Sequence, residues 1–377
     1  MSILAHQSLV QMIRGVSPVI IGKEPIEDKR IQIASVDLAL SDHVYGMRTS
    51  VLPEEGMPME RVLEEFANYH FDLTEDEDKL LLKGHTFVVP LNEALSLPKG
   101  FSARFSPKSS IGRVDVFVRV LADGVPNFDR LDGYEGRLYL EITPLSFGIN
   151  IRKGQSLVQM RIREGAERFL SSTELALRQA STGIVWGKDG NPLAPNVLRL
   201  SGAGIFMHAD LDRDIVGFKS RQCVMNELSF ARQGEYDPEE FWEPIPRPAK
   251  GYVIIEPGVF YLLATRERIK IPEDACAEMA PYDVSAGEIR THYAGFFDPG
   301  FGGTGPGTTG TVGVMEIRGR ELPFCLRDGQ PVCRMDFEPL DRVPDILYGQ
   351  SSKESHYTSS GASLSKFFRR REAVWED

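Results

Sequence analysis

Two stretches of the sequence decide the fold, Gly136-Arg-Leu-Tyr-Leu-Glu-Ile142 and Thr311-Val-Gly-Val-Met-Glu-Ile317. Each is rich in β-branched, aromatic and other apolar residues and follows a turn that contains glycine, which is typical of a β-strand. Leu140-Glu141-Ile142 in the first stretch matches Met315-Glu316-Ile317 in the second, at an offset of 175 residues. The match predicts an internal repeat.

Further pairs occur at nearly the same offset along the chain. They are Val36-Asp37-Leu38 with Ala209-Asp210-Leu211, Leu80-Leu-Leu-Lys-Gly84 with Val253-Ile-Ile-Glu-Pro-Gly258, Pro98 with Pro272, Arg152-Lys-Gly-Gln155 with Arg327-Asp-Gly-Gln330, and Met160 with Met335. Matches at a near-constant offset with similar gaps predict a tandem duplication of one unit of about 150 residues.

The strand pattern predicts the fold class. Many short apolar segments, closely spaced and separated by glycine and proline, favour a mainly β fold such as a barrel or jelly roll over a βαβ sheet. Two short helices are expected, one over Gln7–Arg14 and one opened by the capping box Ser171-Ser-Thr-Glu174 and reaching about Ala180. The predicted organisation is a first unit, residues 1–165, a connector with a short helix, 166–200, and a second unit with a C-terminal tail, 201–377.

Composition excludes several classes of protein. The chain has 377 residues, 42% of them hydrophobic, and a formal net charge of −11. No apolar run approaches the roughly 20 residues of a membrane span, and residues 1–15 lack the pattern of a secretory signal. The four cysteines form no CxxC pair and are too few for a disulfide framework, which favours the cytoplasm. The acidic balance argues against a non-specific nucleic-acid binder.

The segment Pro107-Lys-Ser-Ser-Ile-Gly-Arg113 is a candidate phosphate site. It places a cation, two hydroxyls and a second cation within a few residues, at a predicted turn between apolar segments. Hydroxyls, backbone N–H groups and cations together suit a polyphosphate. Taken alone, the segment favours a solvated turn over a phosphate site.

Glu141 is a candidate for acid–base chemistry. By the two-residue alternation of a strand it shares a face with Tyr139, while Leu138, Leu140 and Ile142 face the other way. The carboxylate is therefore either a solvent-facing strand residue or a group held rigidly to transfer protons.

Together, five stretches resemble the bacterial dCTP deaminases in their long, tandem form, within the trimeric dUTPase-like superfamily. They are Lys29-Arg-Ile-Gln-Ile-Ala-Ser-Val-Asp-Leu38, Lys108-Ser-Ser-Ile-Gly-Arg113, Arg119-Val-Leu-Ala-Asp123, Leu140-Glu141 and Tyr357-Thr-Ser-Ser-Gly-Ala362. The resemblance covers nearly the whole chain. It implies two dUTPase-like units of the distorted jelly-roll or β-clip type, and hydrolytic deamination of dCTP to dUTP and ammonia for thymidylate synthesis.

The resemblance also implies catalytic roles. Glu141 would be the proton shuttle that deprotonates a water attacking C4 of cytosine. Ser109 and the backbone carbonyl of Ala122 would hold that water, and Arg113 would set the charge around it. The substrate-binding residues would be Lys108 and Ser110 at the triphosphate, Val120 at the base edge, Asp132 at the deoxyribose hydroxyl, and Tyr357 and Lys366 arriving with the tail.

The same resemblance implies partners and a cofactor. Mg²⁺ would be bound through the nucleotide's phosphates and not by protein ligands alone. Sites of the superfamily are built between neighbouring subunits, so we expect a homo-oligomer, a trimer of two-unit chains. Zinc is not expected, because none of the seven histidines is followed two residues later by glutamate and no PCxxC occurs.

The chain departs from the family pattern at several positions. Lys108 stands where the family often has arginine, which keeps the charge but loses a bidentate contact, and Gly124 also replaces an arginine. In the second unit, Asp283 and Gly287 replace the residues that correspond to Ser109 and Arg113, so we expect its site to be degenerate although Glu316 is retained.

Two alternatives remain open at the level of sequence. One is a bifunctional dCTP deaminase and dUTP diphosphatase, or a dUTPase, that gives dUMP. The other belongs to a different class, a nucleotide-sensing or scaffold protein without catalysis.

Overall fold

The computed structural model of the protein describes residues 2–22, 24–202, 204–281, 289–291, 295–304, 307–350 and 364–369. The chain forms two compact units, Met1–Glu167 with Val224–Glu235, and Arg168–Cys223 with Tyr236–Asp377. We call these unit 1 and unit 2.

Strands make up most of the regular structure in residues 2–167. They are β1 (Ser2–Ile3), β2 (Ile20–Gly22), β3 (Val36–Leu38), β4 (His43–Met47), β5 (Ala67–Asp72), β6 (Lys79–Leu81), β7 (Thr86–Ser96), β8 (Phe101–Pro107), β9 (Val116–Ala122), β10 (Arg130–Asp132), β11 (Glu135–Pro144), β12 (Ile149–Ile151) and β13 (Val158–Glu164).

Strands also dominate the rest of the described chain. They are β14 (Val185–Trp186), β15 (Leu200–Ser201), β16 (Gly204–His208), β17 (Ile215–Ser220), β18 (Leu228–Ser229), β19 (Trp242–Pro246), β20 (Tyr252–Ile255), β21 (Phe260–Ile269), β22 (Ala275–Pro281), β23 (Ile289–Thr291), β24 (Phe296–Phe297), β25 (Thr311–Gly319), β26 (Phe324–Arg327) and β27 (Pro331–Pro339). The expected mainly β fold is confirmed, and both opening stretches are strands.

The main sheets of the two units have the same strand arrangement. The main sheet of unit 1 has the order β5-β4-β7-β11-β9, and that of unit 2 has the order β19-β17-β21-β25-β23. The second sheets run β1-β13-β8-β10 and β15-β16-β27-β22-β24. Strands that correspond in position also correspond in the predicted sequence offset, so the structure confirms the tandem duplication.

Helices in the described chain are short. They are α1 (His6–Arg14), α2 (Met59–Phe66), α3 (Ser109–Gly112), α4 (Ser172–Ser181), α5 (Pro238–Phe241) and a 3₁₀ turn at Asp28–Arg30. The two helices predicted from the sequence are α1 and α4. At α4 the Ser171 side chain accepts from the backbone N–H of Glu174, whose carboxylate accepts from the N–H of Ser171, as the capping box requires. No helix among these residues is long and apolar enough to cross a membrane.

The predicted connector, residues 166–200, packs within unit 2 from Arg168 onward. Leu170 donates its backbone N–H to the carbonyl of Phe337, and Leu175, Ile184 and Val185 are buried in the unit 2 core. Residues 224–235 instead belong to unit 1, where β18 extends the small sheet β18-β12-β6. The chain therefore contributes one further segment to unit 1 after the first part of unit 2.

Strand β11 is an interior strand of the main sheet of unit 1. It pairs antiparallel with β7 on one side and β9 on the other. Leu138, Leu140 and Ile142 are fully buried on one face, and Tyr139 and Glu141 are buried on the other, with 3% and 1% exposure. Of the two interpretations of Glu141, the solvent-facing one is therefore wrong, because both faces of the strand are covered.

Candidate active site

Glu141 is held in the middle of a strand ladder. It lies opposite Val88 of β7 and Arg119 of β9, and its side chain is 1% exposed. A central strand paired on both sides has little freedom to move, because its backbone groups are fixed by two ladders. The sequence thus places a carboxylate in a rigid position away from water.

Arg119 provides the countercharge of Glu141. Its Nε donates to Oε1 of Glu141 at 3.0 Å, and its Nη2 donates to the same oxygen. Nη2 also donates to the Ser50 hydroxyl at 2.6 Å. The guanidinium lies 3.7 Å from the ring centre of Phe128 and 4.7 Å from that of Phe117. These contacts restrict the guanidinium, because aromatic rings and hydrogen bonds hold it together.

The two carboxylate oxygens of Glu141 are in different situations. Both nitrogens of Arg119 converge on Oε1, while Oε2 is buried and has no hydrogen-bond partner among the described residues. Buried polar atoms are normally paired, so an unpaired one often marks a place for substrate or water. Oε2 is the atom that this arrangement leaves able to accept a proton.

The face of the sheet around Glu141 is apolar. The Tyr139 cluster consists of the buried residues Met47, Met59, Val62, Leu63, Val88, Leu121 and Tyr139. Helix α2 contributes Met59, Val62 and Leu63, which lie on one side of the helix at spacings of three and four residues. The helix therefore covers the same face of the sheet that carries the carboxylate, and lowers the local polarity there.

Two tyrosines flank the end of β9. Tyr134 donates to the carbonyl of Arg137 at 2.9 Å and accepts from the backbone N–H of Asp123 at 3.0 Å. Burial raises the pKa of Tyr134 and of Tyr139 to about 12. Both phenols are therefore neutral at physiological pH. Gly136 has φ of 153°, and a Cβ there would lie 2.4 Å from the Tyr134 hydroxyl, so this position requires glycine.

The residues of the candidate phosphate segment lie at and around the short helix α3. Ser109 opens α3 and is partly buried, while Ser110 and Arg113 are buried, with 6% and 8% exposure. Lys108 precedes the helix, and its ammonium forms an ion pair with the buried carboxylate of Asp37 on β3. Arginine at the Lys108 position would have a longer, forked side chain. In this chain the lysine charge is balanced by Asp37.

Strand β9 separates the two halves of the predicted catalytic set. Helix α3 leads into its first residue, Val116, whereas Ala122 is its last. Its seven residues span roughly 20 Å, at about 3.3 Å each. Glu141 lies beside the middle of this strand. Ser109 lies on α3, before the first residue of β9, whereas Ala122 is the last residue of that strand.

Asp129 is hydrogen-bonded to the backbone of Val120. The carboxylate of Asp129 accepts from the Val120 N–H at 2.7 Å, and the Asp129 N–H donates to the Val120 carbonyl at 3.2 Å. Asp129 has φ of 59°, a conformation that few non-glycine residues adopt. Asp132, predicted at the sugar, has a side chain that is 63% exposed and paired with Arg130 at 3.2 Å. Asp129 therefore lies nearer to the predicted base edge than Asp132 does.

The family follows from comparison with known proteins. Residues 1–166 match the model of the 2'-deoxycytidine 5'-triphosphate deaminase N-terminal domain, and residues 171–368 match that of the C-terminal domain. The chain belongs to the 2'-deoxycytidine 5'-triphosphate deaminase family. The resemblance stated from the five sequence stretches is confirmed.

One solved structure of this family matches almost the whole chain. It is the crystal structure of 2'-deoxycytidine 5'-triphosphate deaminase from Agrobacterium tumefaciens, with a TM-score of 0.82 and 34% identity. The match covers 90% of this chain and 99% of that one. The two-unit architecture is therefore shared with a protein of nearly the same extent.

Curated relatives match a smaller part of the chain. A protein of Methanobrevibacter smithii named "dCTP deaminase, dUMP-forming" is 32% identical over 126 residues, which is 33% of this chain and 61% of the relative. A protein of Methanosphaera stadtmanae with the same name is 34% identical over 117 residues, 30% of this chain and 55% of the relative. The chain thus spans less than two thirds of the length of these relatives.

The C-terminal tail, which carries the predicted substrate-binding residues Tyr357 and Lys366, is described in part. Tyr357 lies outside the described residues. Lys366 is partly buried and is followed by the buried residues Phe367 and Phe368. Phe368 packs edge-on against Trp242 at 6.2 Å between ring centres. Trp242 is thus a packing residue of unit 2.

In unit 2, Glu316 occupies the position that corresponds to Glu141 of unit 1. It lies on β25 opposite Leu262 and is 4% exposed. Asp283 and Gly287, the residues that replace the serine and arginine of the motif, lie outside the described residues. The expectation that this second site is degenerate remains a prediction from the sequence.

The sequence implied no role for Arg119, although this residue begins one of the five stretches that resemble the family. The signal was present in the strand period, because residues 119 and 141 face one another once β9 and β11 pair. Their register could not be read from the sequence alone.

Proposed function

We propose that the protein deaminates dCTP and that dUMP is the pyrimidine nucleotide it releases. The observation that carries the deaminase part is the Glu141 carboxylate, which is fixed on a central strand with Oε1 paired to Arg119 and Oε2 free to accept a proton. General acid–base catalysis requires a positioned group of this kind. The names of the curated relatives support dUMP as the product.

The proposed chemistry consists of two hydrolyses. In the first, Glu141 takes a proton from water as its oxygen bonds to C4 of cytosine, and passes that proton to N3. A second proton from the same water goes to the amino group, which leaves as ammonia, so dCTP and water give dUTP and ammonia. In the second, water attacks the α-phosphorus of dUTP and diphosphate leaves, giving dUMP.

The positions of Ser109 and Ala122 are the basis of a proposed oligomer. Ser109 lies on α3, before the first residue of β9, and Ala122 ends that strand, and we propose that the two residues at one water come from two neighbouring chains. We therefore propose that the protein acts as a homo-oligomer, a trimer of two-unit chains, with Ser109, Ser110, Arg113 and Lys108 facing the Glu141 of a neighbour.

Mg²⁺ is proposed to arrive with the nucleotide. Within the described ranges, no three His, Cys, Asp or Glu side chains are grouped as a metal site. The turn at Lys108 and Arg113 carries cations, which suit phosphate oxygens and not Mg²⁺. When bound, the ion would neutralise phosphate charge, while the protein side chains position the base.

A reducing compartment is part of the same proposal. Cys223, Cys276, Cys325 and Cys333 all carry free thiols, and burial raises the pKa of the Cys333 thiol well above its usual range. Free thiols fit the cytoplasm, where disulfides are rare.

The proposal is tested by a product assay. The protein is incubated with dCTP and Mg²⁺, and dUTP, dUMP, diphosphate and ammonia are resolved. Glu141→Gln is the active-site variant and Glu316→Gln, at the corresponding position of unit 2, is its matched control. We expect ammonia and dUMP from the wild type and from Glu316→Gln, and a loss of roughly 10² to 10⁴-fold in Glu141→Gln.

The other outcomes separate the alternatives. Accumulation of dUTP with no diphosphate would support a deaminase that stops at dUTP. Tight nucleotide binding with no turnover of dCTP or dUTP would support the sensing or scaffold protein instead.

A further inference from the structure

Arg119 is placed to do more than balance a charge. It approaches Glu141 with two nitrogens, and both reach the same oxygen, Oε1. A guanidinium that only neutralised a carboxylate would commonly form two parallel bonds, one to each oxygen. Here the fork is rotated so that the second oxygen, Oε2, receives nothing from the described residues.

The surroundings of Arg119 maintain this rotation. The guanidinium carbon lies 3.7 Å from the ring centre of Phe128 and 4.7 Å from that of Phe117, so two aromatic rings restrict its position. Nη2 is also anchored by the Ser50 hydroxyl at 2.6 Å. Ser50 belongs to the loop before α2, Phe117 to β9, and Phe128 to the loop after it. Three separate segments therefore define the orientation.

We infer that Arg119 is the positioning residue of the reaction, which selects Oε2 of Glu141 as the oxygen that takes the proton from water. Arg119 acts through Glu141 and not on the nucleotide. By occupying Oε1, it prevents the carboxylate from rotating and from exchanging the roles of its two oxygens. This inference rests on the proposed deaminase function.

The chemistry of the side chain explains why arginine is required at this position. Lysine would supply the charge but only a single compact ammonium, which lacks the flat face that packs against aromatic rings and the second nitrogen that reaches Oε1. Glutamine would supply donors but no charge.

The test compares four variants with the wild type in the dCTP assay. They are Arg119→Lys, Arg119→Gln, Arg119→Ala with and without added guanidinium, and Arg137→Ala as matched control. Arg137 lies on the same strand as Glu141, but its side chain is 70% exposed and pairs with the exposed Glu60 at 3.0 Å. Circular dichroism of every variant, with and without guanidinium, confirms that each is folded.

We expect kcat to fall on the order of 10²-fold in Arg119→Lys and further in Arg119→Gln, with KM little changed. Guanidinium, well below denaturing concentrations, is expected to restore part of the kcat of Arg119→Ala, and methylammonium is not. Arg137→Ala is expected to keep the wild-type kcat and KM. A merely structural arginine would give neither the split between kcat and KM nor the selective rescue.

Two results overturn the inference in distinguishable ways. If the wild type deaminates dCTP and folded Arg119→Lys keeps its kcat, or the variants change KM alone, Arg119 does not position Glu141 while the proposed function stands. If the wild type does not deaminate dCTP, the proposed function fails, and the role assigned to Arg119 fails with it.

Discussion

Removing the charge of Arg119 isolates the cost of a buried carboxylate. In Arg119→Gln, the Glu141 carboxylate, with 1% exposure, loses the guanidinium that balances it. Replacing one partner of a buried ion pair is strongly destabilising, because the remaining charge stays out of water without compensation. The effect is expected in unit 1 and specifically in the ladder that joins β9 and β11.

The magnitude follows from the exposure of the two side chains. Loss of one partner of a buried pair costs about 3 to 5 kcal/mol. The Arg119 side chain retains 19% exposure, so water reaches one side of the pair and the lower end applies, about 3 kcal/mol. Since about 1.4 kcal/mol is a factor of ten, the opening equilibrium of the ladder should rise roughly 10²-fold.

Amide hydrogen exchange measures this locally. Peptides that cover β9 and β11 are compared with peptides that cover β21 and β25, the corresponding strands of unit 2, which serve as an internal reference. Exchange in β9 and β11 should accelerate about 10²-fold in Arg119→Gln. Addition of Glu141→Gln should reverse most of that change, because no buried charge then remains.

Two observations would refute the reasoning. Unchanged protection of β9 and β11 in Arg119→Gln would mean that the ion pair contributes nothing to the stability of the ladder. A double variant as unprotected as the single one would mean that lost packing of Arg119 against the phenylalanine rings, and not charge, is responsible.

Further predictions concern the elements around the site. Leu63→Ala should lower the unfolding free energy by about 2 to 5 kcal/mol, because the side chain is 6% exposed within the Tyr139 cluster; urea denaturation measures it. Ser171→Ala should cost about 1 kcal/mol by removing the α4 cap, and Ser171→Asp should recover most of it, as measured by thermal unfolding. The bidentate hydrogen bonds from Arg178, at 2.5 and 2.8 Å, hold the pKa of Asp274 below its ordinary value of 3.8. Their stabilising effect is therefore present above that value and is lost as the pH falls through the lowered pKa; acid titrations of unfolding should show this in the wild type and not in Asp274→Asn.

The repeat made the architecture predictable. A constant offset between matching stretches gives the number of units, and strand-like composition gives the fold class, because both are carried by local sequence. The capping box at Ser171 was equally local, and its helix was predicted within a residue of its observed end. The assignment of residues 224–235 to unit 1 was not predictable, since it depends on a long-range strand pairing between β12 and β18.

Helix α2 was missed although its pattern was present. Met59, Val62, Leu63 and Phe66 follow helical spacing, but the segment is only eight residues long and begins after a proline and glycine-containing turn without a side-chain cap. Short segments of this kind are stabilised by packing and not by their own propensity. The contact of Arg119 with Glu141 was unpredictable for a related reason, because a slip of one residue in register would separate them.

The contacts of Lys108 and Val120 could not be predicted from the motifs that contain these residues. A motif names residue types that suit a phosphate or a base edge, but not the groups that already occupy them. Asp37 pairs with Lys108, and Asp129 bonds to both backbone groups of Val120. These contacts join residues that are far apart in sequence or depend on an unusual backbone conformation, and neither leaves a signal in a local pattern.

The separation of Ser109 on α3 from the end of β9 at Ala122 has a consequence for genetics. If Ser109 and Glu141 serve one reaction from two chains, a subunit that lacks the serine and a subunit that lacks the glutamate carry complementary defects. Each variant alone would be dead, yet their co-expression would regenerate some intact sites in mixed assemblies. Two loss-of-function alleles, one at Ser109 and one at Glu141, would then complement one another, because activity would depend on the assembly and not on a single polypeptide.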